Sequence, residues 1–455
     1  MPRELWRVSR LTMSDVRCDA ANTMKSPVPN TSNLLRHVME TYSAQIVRVA
    51  GGLVFGIWIT RLLSPSARGY YGVAITVAVL ATQFGQLGVS TANTYYAARD
   101  PRLGRTLLGN SLLLTLIIAP CLILLTLLIV RLFPSSLVIP RSCLLFALCY
   151  IPFALGYNLF QGQLLGSYEI RTYNLLEVAN RYIPLGLLLV WVMIRSVTAA
   201  SILGAIVIAQ AIACLWALIR LYFISRGLNW SAGRLRPVLR YGVRIHVATI
   251  FSFLLIRADL LMVAQMRGAT EAGYYSVAAS MADYLTLPAT LAGSVLLPYL
   301  SALPATLAKF RLMSKWLLGM AAATAPLLAL TAFAASPLVR WLFGARYAPT
   351  VAALLWLLPG VYFLGLASIS VQFITSIGYK LSVPAAWLGA LLLNIAGNLY
   401  AIPRYGFTGA SILSSVCYAA CFLAIQSIAW RHRNERFIPS REEYASLLSA
   451  PEASA

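Results

Sequence analysis

Apolar stretches of about 20 residues recur along this chain from Tyr42 to Trp430, each broken by a short polar or glycine-containing turn. That length is what an α-helix needs to cross the hydrocarbon core of a bilayer. The pattern predicts about twelve spans, near 42–63, 70–92, 106–130, 142–165, 172–194, 198–222, 241–265, 273–297, 313–335, 350–376, 383–402 and 408–430. A membrane β-barrel would show alternating segments of about ten residues instead. The predicted fold is therefore an all-α polytopic membrane protein.

Within the pattern lies a repeat. Gly69-Tyr70-Tyr71-Gly72-Val73-Ala74 returns, a little under half the chain later, as Gly273-Tyr274-Tyr275-Ser276-Val277-Ala278. Each copy follows one span and opens the next, so span 7 stands where span 1 would repeat. Six spans per half makes the repeats parallel, and transporters are often built this way around a path between the halves. The expected organisation is two six-helix lobes around a central cavity. Residues 1–33 would form a disordered tail, 34–222 the first lobe, 223–240 a basic linker, 241–430 the second lobe and 431–455 a second tail. Met24-Lys25 leads into the first span and is a candidate start.

Composition fits this reading. The chain is 59% hydrophobic and 11% charged, with a mean hydropathy of +0.75; soluble domains carry about 25% charged residues. Its formal charge is +22, from 36 Lys+Arg against 14 Asp+Glu. Most basic residues fall on the side of the tails, including Arg220, Arg226, Arg234, Arg236, Arg240 and Arg244, which places both termini in the cytoplasm by the positive-inside rule. Such residues also attract anionic membrane lipids. Their division among short loops argues against nucleic acid.

Covalent chemistry has little to stand on. There is no phosphate-binding Gly-x-x-x-x-Gly-Lys loop and no Gly-x-Ser-x-Gly elbow. His37, His246 and His432 are far apart, without zinc spacing. The seven cysteines read as small apolar packing residues. The loops opposite the tails are short and nearly free of acids, so no catalytic residues are expected, and no metal or cofactor beyond a coupling proton or sodium ion.

Charge inside a span is costly, so such residues are functional candidates. Arg48 shares a face with Gln45, Thr41 and Gly52; it either lines a cavity or snorkels to the tail side. Gly52 and Gly56 form Gly-x-x-x-Gly, a mark of close helix packing. Arg257 is mid-span, with His246 about three turns earlier on its face. Asp259, two residues on, points elsewhere, so Arg257 needs a partner from another helix or a substrate. Asp283 is the nearest such partner in sequence. Glu177 precedes Arg181 by four residues, the favoured order for an intrahelical pair. Asn394 and Asn398 likewise face together.

Three segments carry a resemblance. They are Leu62-Leu63-Ser64-Pro65 leading into Gly69-Tyr70-Tyr71; Tyr157-Asn158-Leu159-Phe160-Gln161-Gly162 with Gly166; and the run from Leu239-Arg240-Tyr241-Gly242 through Arg257-Ala258-Asp259 to Gly273-Tyr274-Tyr275. Over about 34–430 the chain resembles the polysaccharide-precursor flippases, O-antigen type, of the multidrug/oligosaccharidyl-lipid/polysaccharide exporter superfamily. The resemblance implies alternating-access transfer of an undecaprenyl-diphosphate-linked oligosaccharide across a bacterial inner membrane. It also implies a cavity lined by cations such as Arg48 and Arg257, and partner proteins that polymerise the glycan and set its length. The lipid II flippases of that superfamily usually carry two further spans, which are not found here. A cation-coupled small-molecule exporter of the same fold is the alternative; a membrane glycosyltransferase, ligase or polymerase is less favoured.

Overall fold

A computed structural model describes residues 31–132, 139–194, 196–378 and 380–435. Most of both expected tails, Met24 included, lies outside the described residues. The described chain is helical: α1 Thr31–Leu62, α2 Pro65–Gly85, α3 Val89–Arg99, α4 Gly104–Leu132, α5 Arg141–Gly166, α6 Ile170–Ile194, α7 Ala199–Ser225, α8 Ala232–Arg267, α9 Ala269–Ala302, α10 Thr306–Phe343, α11 Thr350–Ser376 and α12 Ser382–Arg431.

Ten of these helices are long and apolar enough to cross a membrane, and α2 with α3, bent by 48°, makes an eleventh. The twelfth is hidden in α12. At 50 residues and 1.5 Å per residue it would be far longer than the roughly 30 Å hydrocarbon core. Gly406 breaks it, with φ 60° and ψ −149°, a backbone that favours glycine. Across the break, Glu271 accepts from the Phe407 N–H (3.1 Å) and pairs with Arg267, so a carboxylate from α9 caps the last helix.

The helices α1–α7 pack as one group and α8–α12 as another. The main seam between them is α2 against α9, and there the two repeat copies meet. A Cβ on Gly69 would lie 1.8 Å from the Ala269 carbonyl oxygen, and one on Gly273 would lie 1.9 Å from that of Pro65. Gly72 stands against Ser276 in the same way. Near the tail-side face, Gly88 abuts Gly242, and His246 donates from Nε2 to the Gln83 carbonyl, 2.7 Å. At the opposite face Arg61 Nε donates to the Leu342 carbonyl (2.7 Å) and Tyr347 to that of Leu63 (3.0 Å), tying α1 and its turn to the end of α10.

The basic segment 223–240 is not an extended linker. Only 226–231 separates α7 from α8, and α8 begins nine residues before the hydrophobic edge used to place its span. The extension is amphipathic. Val238 is buried, and Leu235 and Leu239 pack beside it against the first lobe, while Arg234, Arg236 and Arg240 lie on its other faces.

Methyl groups at the seam should force the lobes apart. We expect Gly69→Ala and Gly273→Ala each to cost about 1–3 kcal/mol and to lower the detergent unfolding midpoint. Gly186→Ala, where a Cβ meets nothing within 4 Å, should leave it unchanged. Equal midpoints in all three would show that the seam yields.

Candidate functional site

Each lobe carries an intramembrane ion pair of its own. Arg48 of α1 donates from Nη1 to Glu177 Oε2 of α6 (2.9 Å) and from Nη2 to Gln45 Oε1 (2.6 Å). The other Glu177 oxygen accepts from Tyr157 (3.0 Å) and Gln161 (2.6 Å) of α5. One carboxylate thus joins three helices, and Arg48 retains partial exposure.

This pairing replaces the one expected within α6. Arg181 is one turn from Glu177, but the arginine of another helix takes the carboxylate. Spacing of four within a helix contributes only a few tenths of a kcal/mol, too little to outweigh a set of interhelical bonds. Arg181 is exposed and makes no ion pair among the described residues; Tyr71, Tyr150 and Tyr284 lie within electrostatic reach of it. Of these, Tyr284 comes from the opposite lobe.

In the second lobe Arg257 Nη2 donates to Asp283 Oδ2 of α9, 2.8 Å. The side chains are 30% and 43% exposed, so the pair is open rather than sealed in packing. Phe253 lies beneath the guanidinium. An anion reaching this point would meet an arginine whose partner is accessible and displaceable.

Asp259 is separate from that pair. It is fully buried and accepts from Tyr275 (3.0 Å), from Asn398 Nδ2 (2.7 Å) and from Ser414. No cation pairs with it among the described residues. Asn398 Nδ2 also reaches Asn394 Oδ1 (3.1 Å), while Asn398 Oδ1 and Asn394 Nδ2 are buried without partners. Helices α8, α9 and both halves of α12 thus close around one carboxylate. His246 lies on the α2–α8 contact described above and not beside Arg257. Thr41 lies outside the residues whose side chains are described.

Sequence reasoning passed over several residues that the structure places here. Tyr157 and Gln161 are uncharged, but their spacing of four inside a span was a usable signal. Tyr284 reaches across the seam, its hydroxyl 2.8 Å from where a Cβ on Gly52 would sit. Arg68, just before the first repeat copy, is also buried at the seam.

Residues 58–352, more than half of the chain, match the family described as "Polysaccharide biosynthesis protein". No curated protein matches the sequence. Among solved structures, an inward-facing multidrug resistance MATE family transporter of the MOP superfamily aligns with a TM-score of 0.67 at 16% identity, covering 85% of this chain and 98% of that one. A lipid II flippase, MurJ, in an inward closed conformation aligns with a TM-score of 0.69 at 13% identity, covering 87% of each chain. An outward-facing MATE transporter gives 0.57 at 14%, covering 88% and 94%. The fold is theirs.

The Arg48–Glu177 bond predicts coupling. Arg48→Ala and Glu177→Ala should each destabilise the purified protein, with the double variant losing less than their sum. Arg181→Ala and Glu177→Ala should add. Thermal midpoints of the wild type and the five variants decide, and additivity in the first cycle would refute the pairing.

Proposed function

The chain belongs to the polysaccharide biosynthesis protein family, and from that premise we propose that it is a flippase for an isoprenoid-diphosphate-linked oligosaccharide. The observation that carries this reading is the intramembrane arginine excess. Arg48, Arg181 and Arg257 lie within the spans, and among the described residues only Glu177 and Asp283 form ion pairs with them. A lipid diphosphate is the anion that a membrane interior most needs such cations to hold, and guanidinium binds phosphate oxygens in a fork. The Arg257–Asp283 pair exchanges its carboxylate for phosphate; Arg48, held by Glu177, keeps its remaining donors toward the path. Gln45, partly exposed beside Arg48, and His246 on the tail-side seam border that path.

Alternating access follows from how the lobes touch. Narrow glycine contacts at Gly69–Gly273 and Gly88–Gly242 let two rigid lobes rock. The face bearing Arg220 and the basic start of α8 is cytoplasmic by the positive-inside rule, and the face of Arg61 and Tyr347 is periplasmic in a bacterial inner membrane. Proteins that polymerise the glycan and set its chain length would receive the product there.

Asp259 supplies a coupling position. A buried carboxylate without a cationic partner is stable only with a proton or a bound cation. The hydroxyl oxygens of Tyr275 and Ser414 around it are hard ligands of the kind a sodium ion takes. A small-molecule exporter of the same fold is the competing reading; the intramembrane arginines would repel the organic cations such a path commonly carries.

In a deletion strain, complete lipid-linked glycan should accumulate on the cytoplasmic leaflet while surface polysaccharide disappears. Precursor reaching the periplasmic leaflet at the normal rate would sink the proposal. On complementation, Arg257→Ala should restore no surface glycan at normal protein level, and Arg257→Lys only part of it, because a point charge lacks the fork. Asp259→Asn should preserve insertion and abolish any response of transport in inverted vesicles to a sodium or proton gradient; an unchanged response would remove Asp259 from coupling.

A further inference from the structure

Arg68 is 5% exposed and has no carboxylate partner among the described residues. Its Nε donates to Thr60 Oγ1 (3.2 Å) and its Nη2 to Ser280 Oγ (3.3 Å), and its guanidinium lies over the Tyr71 ring, 4.9 Å from the centroid. Both hydroxyls turn their own protons away, Thr60 to the Gly56 carbonyl (2.7 Å) and Ser280 to that of Ser276 (2.7 Å). The neutral contacts orient the cation without neutralising it. Nη1 has no partner among the described residues.

Symmetry shows that packing does not require this arginine. In the second repeat copy the matching position is Ala272, fully buried in an equivalent helix start. A guanidinium present in one copy alone serves something other than the seam.

Arg68 borders a pocket of about 190 Å³. Its wall is otherwise mainly apolar, with Leu53 and Ile57 from α1, Met281 and Leu285 from α9, and Leu338 and Leu342 from α10. Gly56 also lines it, and a Cβ there would meet nothing within 4 Å. The Gly-x-x-x-Gly of α1, expected to mark close packing, divides: Gly52 meets Tyr284, and Gly56 opens onto space. Pockets that enclose a whole small ligand measure about 300–1,000 Å³, so this one takes part of a ligand.

A cation at one end of an apolar slot fits an amphiphile with an anionic head. Resting on the flippase reading above, we propose that this pocket is a second lipid position, near the Arg61–Leu342 face. It holds the first isoprene units of a phosphate-headed isoprenoid lipid between α1, α9 and α10, with the adjoining phosphate on Arg68. The arginines Arg48, Arg181 and Arg257 are then one station for the head group, and Arg68 is another beside the lipid-facing side of α1 and α10, where Val54 and Phe333 are exposed.

The test uses the full chain in phosphatidylcholine nanodiscs, titrated with undecaprenyl phosphate and read by thermophoresis. Gly56→Leu fills the slot without touching Arg68, and Arg68→Gln removes the charge. Each should weaken binding by about tenfold or more, while Gly186→Ala, where a Cβ meets nothing within 4 Å, leaves it unchanged. Undecaprenol, sodium pyrophosphate and dioleoyl phosphatidate should each bind at least about tenfold more weakly than undecaprenyl phosphate. Undiminished affinity in Gly56→Leu would overturn the proposal even if Arg68→Gln failed to fold. Phosphatidate binding as tightly would make the pocket a general phospholipid crevice, and pyrophosphate binding as tightly would make it an anion site; either result also overturns it. Affinity lost only in Arg257→Gln would put the lipid in the central seam, ending this inference and leaving the flippase reading intact. Failure of that reading shows separately, as normal leaflet transfer in the deletion strain.

Discussion

Backbone-to-backbone approach of α2 and α9 at Gly69 and Gly273 is the constraint on which the other contacts depend. A membrane offers little hydrophobic driving force between helices, so association relies on close van der Waals contact, which small residues permit. Here the glycine of each copy receives the helix start of the other, and no side chain fits between. That contact fixes how far apart the lobes stand. It sets Tyr284 against α1, places Ser280 under Arg68, and brings Arg181 of one lobe within reach of Tyr284 of the other. It is also narrow. Glycines at each end of the seam, Gly69 with Gly273 and Gly88 with Gly242, let backbone meet backbone there.

Charge is then distributed by lobe and depth. Arg48 and Glu177 hold α1, α5 and α6 together. Arg257 and Asp283 are as close to each other, and the two arginines are equally accessible, but Asp283 is more open than Glu177, 43% against 18%. Asp259 is the opposite case, sealed and held by neutral donors. Its position on α8 puts it among residues from α9 and both halves of α12. Arg257 and Asp259 keep separate partners although they are two residues apart in sequence, because side chains two apart on a helix point in different directions.

Much of this could be read before any coordinates. Span length and spacing locate the helices because the bilayer imposes one length scale, and the recurrence of Gly-Tyr-Tyr locates the symmetry. The bend between α11's successor segments at Gly406 was likewise anticipated as a turn between two spans, since 403–407 interrupts the apolar pattern. The amphipathic start of α8 was missed because hydropathy ends where water begins, although the helix does not. The partner of Glu177 was misassigned because i, i+4 spacing is visible in one dimension and a neighbouring helix is not. Asp283 was reachable as the partner of Arg257 because α8 and α9 are joined by a single-residue turn, which makes them neighbours in space.

Divergence between the repeat copies gives the molecule its polarity. Tyr71 and Tyr275 occupy the same place in the duplicated motif. The first lies under the cation of Arg68; the second donates to the buried carboxylate of Asp259. One gene duplication thus supplied two aromatic positions at the seam, and the residues packed against them took opposite charge. A symmetric pair of lobes would bind a substrate head group equally from either side and give it no preferred station. The buried cation of Arg68 thus stands beside the first copy and the sealed carboxylate of Asp259 beside the second. The α2–α9 contact at Gly69 and Gly273 holds these two unlike surroundings against one seam.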